Sequence, residues 1–333
     1  MAVTRLSDVI VPEVFTDYVV QNTMENSALV QSGIATRNAE IATQLQAGAD
    51  SFNVPFWLDL ADDEANIVND DPDDEAVPRK LTSDKQVVRK AFLHNSWSAM
   101  NLASELSGSD AIARIQDRAA AYWTRQTQRR LIASLNGVLA DNVSNDGGDM
   151  VLDVSAETGE AAGFGVSAVI DAAGTLGDQM GAVAGIAMHS DVYRKALKGD
   201  LVETIRDSDN RPFQTFRGMA VIVDDLLPID ATDPDALIYT TVLFSSGVIG
   251  WNITTPRIAD GTEIESKPGA GNGGGQQILH SRVNLAIHPA GFSWAESSVA
   301  ADSASLAELA LAANWNRVVE RKAAGLAFLK SRL

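Results

Sequence analysis

The stretch SDAIARIQDRAAAYWTRQTQRRLIASLNGVLADN, residues 109–142, decides the fold class of this chain. It contains no proline, Ser109 is a candidate N-cap, and Asp110 complements the positive end of a helix dipole. Apolar side chains recur near one face at helical spacing; they are Ile112, Ile115, Ala119, Tyr122, Leu131, Leu135 and Val138. The pattern predicts a single helix of about 50 Å, which is long for a globular protein.

A strongly acidic run lies upstream of this helix. The residues DDEANIVNDDPDDEAVPRK (62–80) and Asp59 together carry nine acidic side chains, and two prolines interrupt the run. Like charges at this density repel one another, so we predict an exposed loop rather than a packed element. The flanking residues 51–60 and 81–91 have strand-like patterns. We therefore expect a long hairpin that projects from the body.

From Met150 onward the pattern predicts a mixed α/β region. Helices are predicted at 166–181, at 191–201 with Ser190 as the cap, and at 305–314. Strands are predicted at 183–190, 218–225, 236–246 and 279–289. Residues 261–277 are predicted to form a Gly-rich loop, and the tail 315–333 fits either a helix or a strand.

The charge balance excludes several classes of protein. The chain has 333 residues, with 44 acidic and 26 basic side chains and a net charge of −18. A surface of that charge does not suit general binding to DNA, RNA or an anionic membrane. There is no cysteine, which excludes disulfides and thiolate chemistry. No apolar run approaches the roughly 20 residues that span a bilayer, and the opening residues lack a signal-peptide pattern, so none is expected.

Motifs for catalysis or cofactor binding are absent or incomplete. Gly269, Gly271 and Gly274 match G-x-G-x-x-G, but a strand-like run follows them instead of the helix that a dinucleotide site requires. His280 and His288 would lie on one face of a strand about 26 Å apart, too far for one metal ion. The sequence has no G-x-S-x-G and no P-loop. We therefore predict no catalytic residue, no cofactor and no metal site.

Five segments, in this order, carry a resemblance to a known family. They are VIVPEVFTDYVVQNTMENSALVQSGI (9–34), IAMHSDVYRKALKGDLVE (186–203), FRGMAVIVDDLLPI (216–229), RVNLAIHPAGFSW (282–294) and LAANWNRVVERKAAGLAFLKSRL (311–333). Together they resemble the major capsid proteins of tailed bacteriophages, in the family called major capsid protein 13-like. The resemblance implies the Hong Kong 97-type capsid fold, which is α+β.

The resemblance also implies how the chain is divided. Its parts would be an N-terminal arm at 1–50, an extended loop at 51–91, a peripheral domain with a long spine helix at 92–149 and 256–304, and an axial domain at 150–255 and 305–333.

The implied function is structural and not enzymatic. Copies of the chain would form the hexamers and pentamers of an icosahedral virion shell that encloses double-stranded phage DNA without sequence-specific binding. The chain would be made in the host cytoplasm, with portal, scaffold or decoration proteins as further partners and with no membrane. An encapsulin-like cellular shell and a soluble acidic α/β enzyme remain alternative interpretations.

Two groups of charges are candidates for a contact between subunits. The acidic group is Asp70, Asp71, Asp73, Asp74 and Glu75, and the basic group is Arg114, Arg118, Arg125 and Arg129 on the predicted long helix. In this hypothesis the acidic loop lies over a neighbour's helix. The interpretation that the sequence favours is that both groups are solvated faces, because exposed ion pairs contribute only about 0–1 kcal/mol each.

A shell built from such acidic copies repels itself unless the charge is screened. We expect shells to form or persist less well at roughly 10 mM salt, where the Debye length is about 30 Å, than at physiological salt, where it is about 8 Å. Light scattering across a salt series measures this dependence, and shells that are indifferent to salt would contradict it.

Overall fold

The computed structural model describes residue 29 and residues 35–60, 64–68, 70–71, 73, 75, 78–206, 212–234 and 236–333. Most of the predicted arm and Asp74 lie outside these residues. In the described part of the chain, no helix is both long and apolar enough to cross a membrane.

The helices, with their bounds, are α1 (Ala39–Gln46), α2 (Asn101–Ser107), α3 (Ala111–Asn145), α4 (Val166–Gly174), α5 (Ser190–Lys198), α6 (Leu306–Leu309) and α7 (Arg321–Ala324). Short 3₁₀ turns occupy Gly159–Ala162, Gly177–Ala182 and Ala312–Asn314. The strands are β1 (Ala35–Arg37), β2 (Ser51–Trp57), β3 (Ser83–Arg89), β4 (Ala91–Met100), β5 (Val151–Asp153), β6 (Val183–Met188), β7 (Glu203–Arg206), β8 (Pro212–Phe216), β9 (Met219–Val223), β10 (Ile229–Asp230), β11 (Ile238–Ser245), β12 (Ile249–Thr254), β13 (Thr262–Lys267), β14 (Gln276–Pro289), β15 (Phe292–Trp294), β16 (Trp315–Arg317) and β17 (Leu326–Ser331).

The long helix α3 has 35 residues and confirms the main sequence prediction. Its N-cap is Asp110, whose Oδ1 accepts from the backbone N–H of Ile112 at 2.9 Å and of Ala113 at 3.1 Å. The predicted cap Ser109 is therefore wrong by one residue, because the aspartate reaches both free N–H groups of the first turn. Burial is nearly continuous over the second half of the helix, whereas Ile112 and Trp123 are the apolar residues buried in the first half.

The first sheet is built around β14. This strand of 14 residues pairs along one edge with β12 and β13 and along the other edge with β4, and β1 extends the sheet beyond β12. The prediction of a loop over all of residues 261–277 is wrong, because β13 and the start of β14 occupy about half of it and only 268–275 form the turn. The glycines of the G-x-G-x-x-G match lie in this turn between two antiparallel strands, so the expectation that they open no helix is confirmed.

The second sheet has the order β5-β17-β11-β6-β9-β8-β7, with β10 beside β11. Its central strands are buried on both faces. Val242 and Phe244 of β11 pack toward the α3 side, and Leu243 between them packs with α4 and α5. Alternate side chains of a strand point to opposite faces, so burial on both faces explains why Val242, Leu243 and Phe244 are apolar in succession. The tail is settled as a strand, since β17 pairs antiparallel with β11 and parallel with β5.

Two helix predictions in this region need correction. The predicted helix 166–181 ends at Gly174, and a 3₁₀ turn begins at Gly177, whose φ of 61° interrupts a right-handed helix. The cap of α5 is His189 rather than Ser190, because His189 Nδ1 accepts from the backbone N–H of Asp191 at 3.1 Å.

The chain passes from the second sheet to the first near residue 248, between β11 and β12. β12 lies within the segment 150–255 that the resemblance gives to the axial domain, yet it hydrogen-bonds to β14 of the first sheet. Similarly, α6 and β16 from the segment 305–333 pack on α3, whereas β17 completes the second sheet.

The predicted hairpin is present. β2 and β3 pair antiparallel from Ser51 opposite Arg89 to Trp57 opposite Ser83. They form a two-stranded sheet of their own, so both strands are edges, which accommodates Pro55 within β2.

Replacement of Gly137 tests the closest approach to α3. A Cβ at this position would collide with the carbonyl oxygen of Leu309 and with the indole of Trp315, which themselves are hydrogen-bonded at 2.8 Å. We expect Gly137→Ala to lower the free energy of unfolding by about 1–3 kcal/mol. Gly174→Ala, where a Cβ meets open space, is the matched control and should be neutral or slightly stabilising. Urea unfolding of both variants measures this, and an unchanged Gly137→Ala would contradict the packing.

Candidate assembly interface

The base of the hairpin is fastened to the first sheet by buried polar contacts. His288 Nε2 donates to Oε1 of Gln86 at 2.7 Å, and the backbone N–H of Gly291 donates to the same oxygen at 3.3 Å. The backbone N–H of Val87 donates to the Ser293 hydroxyl at 3.0 Å. Buried polar groups are costly when they are unpaired, so these contacts fix where the hairpin leaves the body.

Arg89 adds charged contacts at the same place. Its Nη1 lies 2.8 Å from Asp50 and 2.8 Å from Glu296, and its Nη2 donates to the carbonyl of Asp302 at 2.8 Å. Arg89 is nearly buried and links β3 to the residue before β2 and to the loop between β15 and α6. The guanidinium also holds the pKa of the Asp50 carboxyl below its usual range.

Lys90 is fully buried where β3 meets β4. Its Nζ donates to the carbonyls of Ala47 at 3.0 Å and Gly48 at 3.3 Å, just beyond the end of α1. Burial lowers the pKa of the ammonium group, and the nearby Asp50 opposes this shift. A cation that satisfies these carbonyls ties the hairpin to the segment that precedes it.

We call residues 58–82 the acidic loop. The backbone N–H of Leu58 donates to the carbonyl of Thr82 at 2.9 Å, and Arg79 donates to the carbonyl of Glu64 at 3.1 Å. Its described acidic residues from the predicted group are all exposed, namely Asp70, Asp71, Asp73 and Glu75.

The acidic loop also presents large apolar side chains that the sequence analysis overlooked. Ile67 is 87% exposed and Val68 is 93% exposed, and Leu60 is also mostly exposed. Trp57, the last residue of β2 and just before the loop, is mostly exposed as well. Apolar side chains clustered on a projecting segment are typical of an interaction surface. The signal was available in the sequence, since Ile67 and Val68 interrupt the run of acids.

A groove of about 630 Å³ lies along the first half of α3, and we call it the helix groove. It is lined by Trp97, Arg114, Ile115, Asp117, Arg118, Ala119, Ala121, Tyr122 and Arg125. The structure thus brings three of the four predicted arginines together around apolar side chains. Arg129 is exposed farther along α3 and does not line the groove.

Aromatic packing supports the floor of the helix groove. The rings of Trp97 and Tyr122 meet edge to face with centroids 5.2 Å apart, and Tyr122 meets Trp123 at 5.1 Å. Trp123 donates its indole N–H to the Ser281 hydroxyl of β14 at 2.9 Å. These contacts hold the first half of α3 against the first sheet, so the arginines project from a firm surface.

Arg130, on the same helix, has a different role. It is buried and donates Nη2 to the carbonyl of Ala304 at 2.6 Å. Burial lowers the pKa of its guanidinium to about 10. This arginine therefore belongs to the core, whereas the adjacent Arg129 is exposed.

The arrangement of sheets, hairpin and long helix matches solved shells. The capsid of Ralstonia phage GP4 aligns with a TM-score of 0.58 at 10% identity over 96% of each chain. The acid-stable capsid of Helicobacter pylori bacteriophage KHP30 aligns with a TM-score of 0.55 at 11% identity, over 97% of this chain and 95% of that chain. The protein therefore has the Hong Kong 97-type fold of phage capsid subunits.

Sequence comparison identifies the family. No family model matches the chain. The major capsid protein of Bacillus phage SPP1 is 35% identical over 337 residues, which cover 100% of this chain and 99% of that protein. The chain belongs to the family of phage major capsid proteins. It is a structural protein of the virion that assembles into an oligomeric shell, and not an enzyme.

His288, at the base of the hairpin, should make the free energy of unfolding depend on pH. Burial lowers the pKa of His288 to about 4 from its ordinary 6.5, so the unfolded chain binds a proton more readily between these values. We expect the contribution of His288 to be fully present above about pH 6.5 and to fall by up to about 3 kcal/mol as the pH drops toward 4.

Urea unfolding of the native chain and of His288→Gln between pH 4 and 8 measures this contribution. The variant can keep an N–H donor to Gln86 and should show a shallower loss of stability in acid. Identical pH profiles for the two proteins would contradict the prediction.

Proposed function

We propose that neighbouring copies join by laying the acidic loop of one on the helix groove of the next. The observation that carries this proposal is complementarity within one chain. A projecting loop is acidic and exposes apolar side chains, and a groove elsewhere has an apolar floor with Arg114, Arg118 and Arg125 around it. A surface of each kind on every copy supports a head-to-tail contact that closes into rings.

The apolar side chains would supply most of the affinity of this contact. Complete burial of a side chain such as Ile67 or Val68 is worth about 1.5–3 kcal/mol. The groove offers Ile115, Ala119 and the aromatic pair of Trp97 and Tyr122 to receive them. An exposed ion pair is worth about 0–1 kcal/mol, so the charges alone would give a weak contact.

The charges would then determine how the acidic loop is positioned along the helix groove and which surface of a neighbour it binds. Arginine binds carboxylates through two parallel hydrogen bonds, which gives a pair directional specificity. Asp70, Asp71, Asp73 and Glu75 are exposed on the loop. Complementary charge also steers encounter between subunits, and like charge disfavours a loop resting on another acidic loop.

Rings of this kind would be the hexamers and pentamers of an icosahedral shell around double-stranded DNA. The net charge of −18 per copy supports a container that encloses DNA without binding it specifically, because an acidic wall repels phosphate. We also propose synthesis in the host cytoplasm and further contacts with portal, scaffold or decoration proteins, as the family relationship to the SPP1 protein suggests.

The two sheets support a division of the subunit into two domains, with β12, α6 and β16 moved from the axial to the peripheral domain. In this assignment the first sheet and α3 form the peripheral domain, and the second sheet with α4 and α5 forms the axial domain. The arm and the extended loop would then be the parts that each subunit lends to its neighbours.

Charge reversal tests the proposed contact. We expect Arg114→Glu with Arg118→Glu, and separately Asp70→Lys with Asp71→Lys, each to reduce the yield of shells at least about tenfold, equivalent to about 1.4 kcal/mol. Combining the four changes should restore assembly, because the pairing is re-formed with opposite sign. Electron microscopy and sedimentation measure the yield.

Arg257→Glu is the matched control, since it removes an exposed arginine that does not line the helix groove. It should assemble normally. The contact would be refuted if the quadruple variant failed to assemble while the arginine double variant and the aspartate double variant both remained folded.

A further inference from the structure

We propose that His94 and His280 form a binding site for a divalent transition-metal ion on the outer face of the first sheet. The two residues are 186 positions apart in the chain, and the pairing of β4 with β14 brings them together. Neither residue is part of the hairpin base or of the helix groove.

The distance between the two rings fits two ligands of one ion. His94 Nε2 lies 3.2 Å from His280 Nδ1, and the rings are stacked at 5.4 Å with an angle of 24° between their planes. Two imidazole nitrogens that bind one ion at 2.0–2.1 Å lie about 3.0–3.4 Å apart, depending on the coordination geometry. The strands therefore hold the nitrogens at the required separation before any ion binds.

Glu265 on β13 prepares His280 to act as a ligand. Its Oε2 lies 3.3 Å from His280 Nε2, so this nitrogen carries the proton and donates to the carboxylate. Nδ1 of the same ring then has its lone pair free and faces His94. A carboxylate that orients a metal-binding histidine in this way is a common outer partner in metal sites.

His94 completes the pair by a change of tautomer. In the metal-free protein its Nε2–H donates to His280 Nδ1, and on binding the proton moves to its other ring nitrogen while the ion takes its place.

Other charges surround the pair without blocking it. Arg282 is engaged by Glu263 at 3.0 Å, and Lys267 lies 3.5 Å from Glu265. In the described part of the chain, no three His, Asp or Glu side chains converge well enough to hold an ion. The site therefore supplies two protein ligands, and because His94 is exposed, water completes the coordination. Two imidazoles favour copper over nickel and zinc in the usual order of affinities.

A bound ion would link β4 to β14 and stabilise the folded subunit by mass action. Because β4 continues directly from the hairpin strand β3, the link would also strengthen the strand from which the hairpin extends.

Calorimetric titration of the purified protein with CuCl₂ and with ZnCl₂ at pH 7.5 tests the proposal. We expect one ion per chain, and loss of this binding in His94→Gln and in His280→Gln. For Cu²⁺, electron paramagnetic resonance should show two nitrogen ligands in the native protein. Binding with unchanged stoichiometry in His94→Gln, or no binding by the native protein at millimolar metal, would overturn the proposal.

A matched pair of variants separates the site from general negative charge. Glu265→Gln should weaken binding about 10–100-fold, because it removes the partner that orients His280. Glu263→Gln removes an acid from the same strand that contacts Arg282 instead, and it should leave the affinity unchanged. Equal effects of the two changes would show that charge alone attracts the ion and would overturn the assigned role of Glu265.

Discussion

Burial of the second half of α3 is the interaction on which the rest of the subunit depends. Leu131, Leu135 and Val138 are almost completely enclosed, in a cluster that includes side chains of both large sheets and of the β15–β16 pair. In proteins most of the stability of a helix comes from such packing of its apolar face rather than from helix propensity. Because this half is held inside the core, the first half can extend along the first sheet and present its arginines outward.

A similar contrast between a held part and an exposed part is found in the hairpin. The acidic loop is far from the core, yet its two strands return to a base where Gln86, Arg89 and Lys90 are tied to separate segments. Without cysteines, the chain fastens this projection by charge-assisted hydrogen bonds. A firmly held base limits the directions in which the loop extends, which would lower the entropy lost in the proposed contact with a neighbour.

The features that sequence reasoning predicted correctly are those with local causes. The long helix follows from spacing within one segment, and the hairpin follows from two strand patterns around a run of acids. Errors arose where two neighbouring residues could serve equally well, as with Ser109 and Asp110 at the start of α3. β13 was missed because it is exposed and rich in glutamate, so it lacks the alternation of a half-buried strand.

The pairing of His94 with His280 and the burial of Arg130 depend on contacts between distant segments, which no local pattern encodes. The sequence named the arginines but predicted no groove, because Trp97 comes from a different element than the arginines.

The position of β17 has a consequence for the order of events during synthesis. This strand lies between β5 and β11, although it follows both in the chain by at least 80 residues. Until it emerges from the ribosome, the buried strand β11 has an open edge, and such an edge pairs readily with other chains. The second sheet can therefore close only after nearly all of the subunit has been translated.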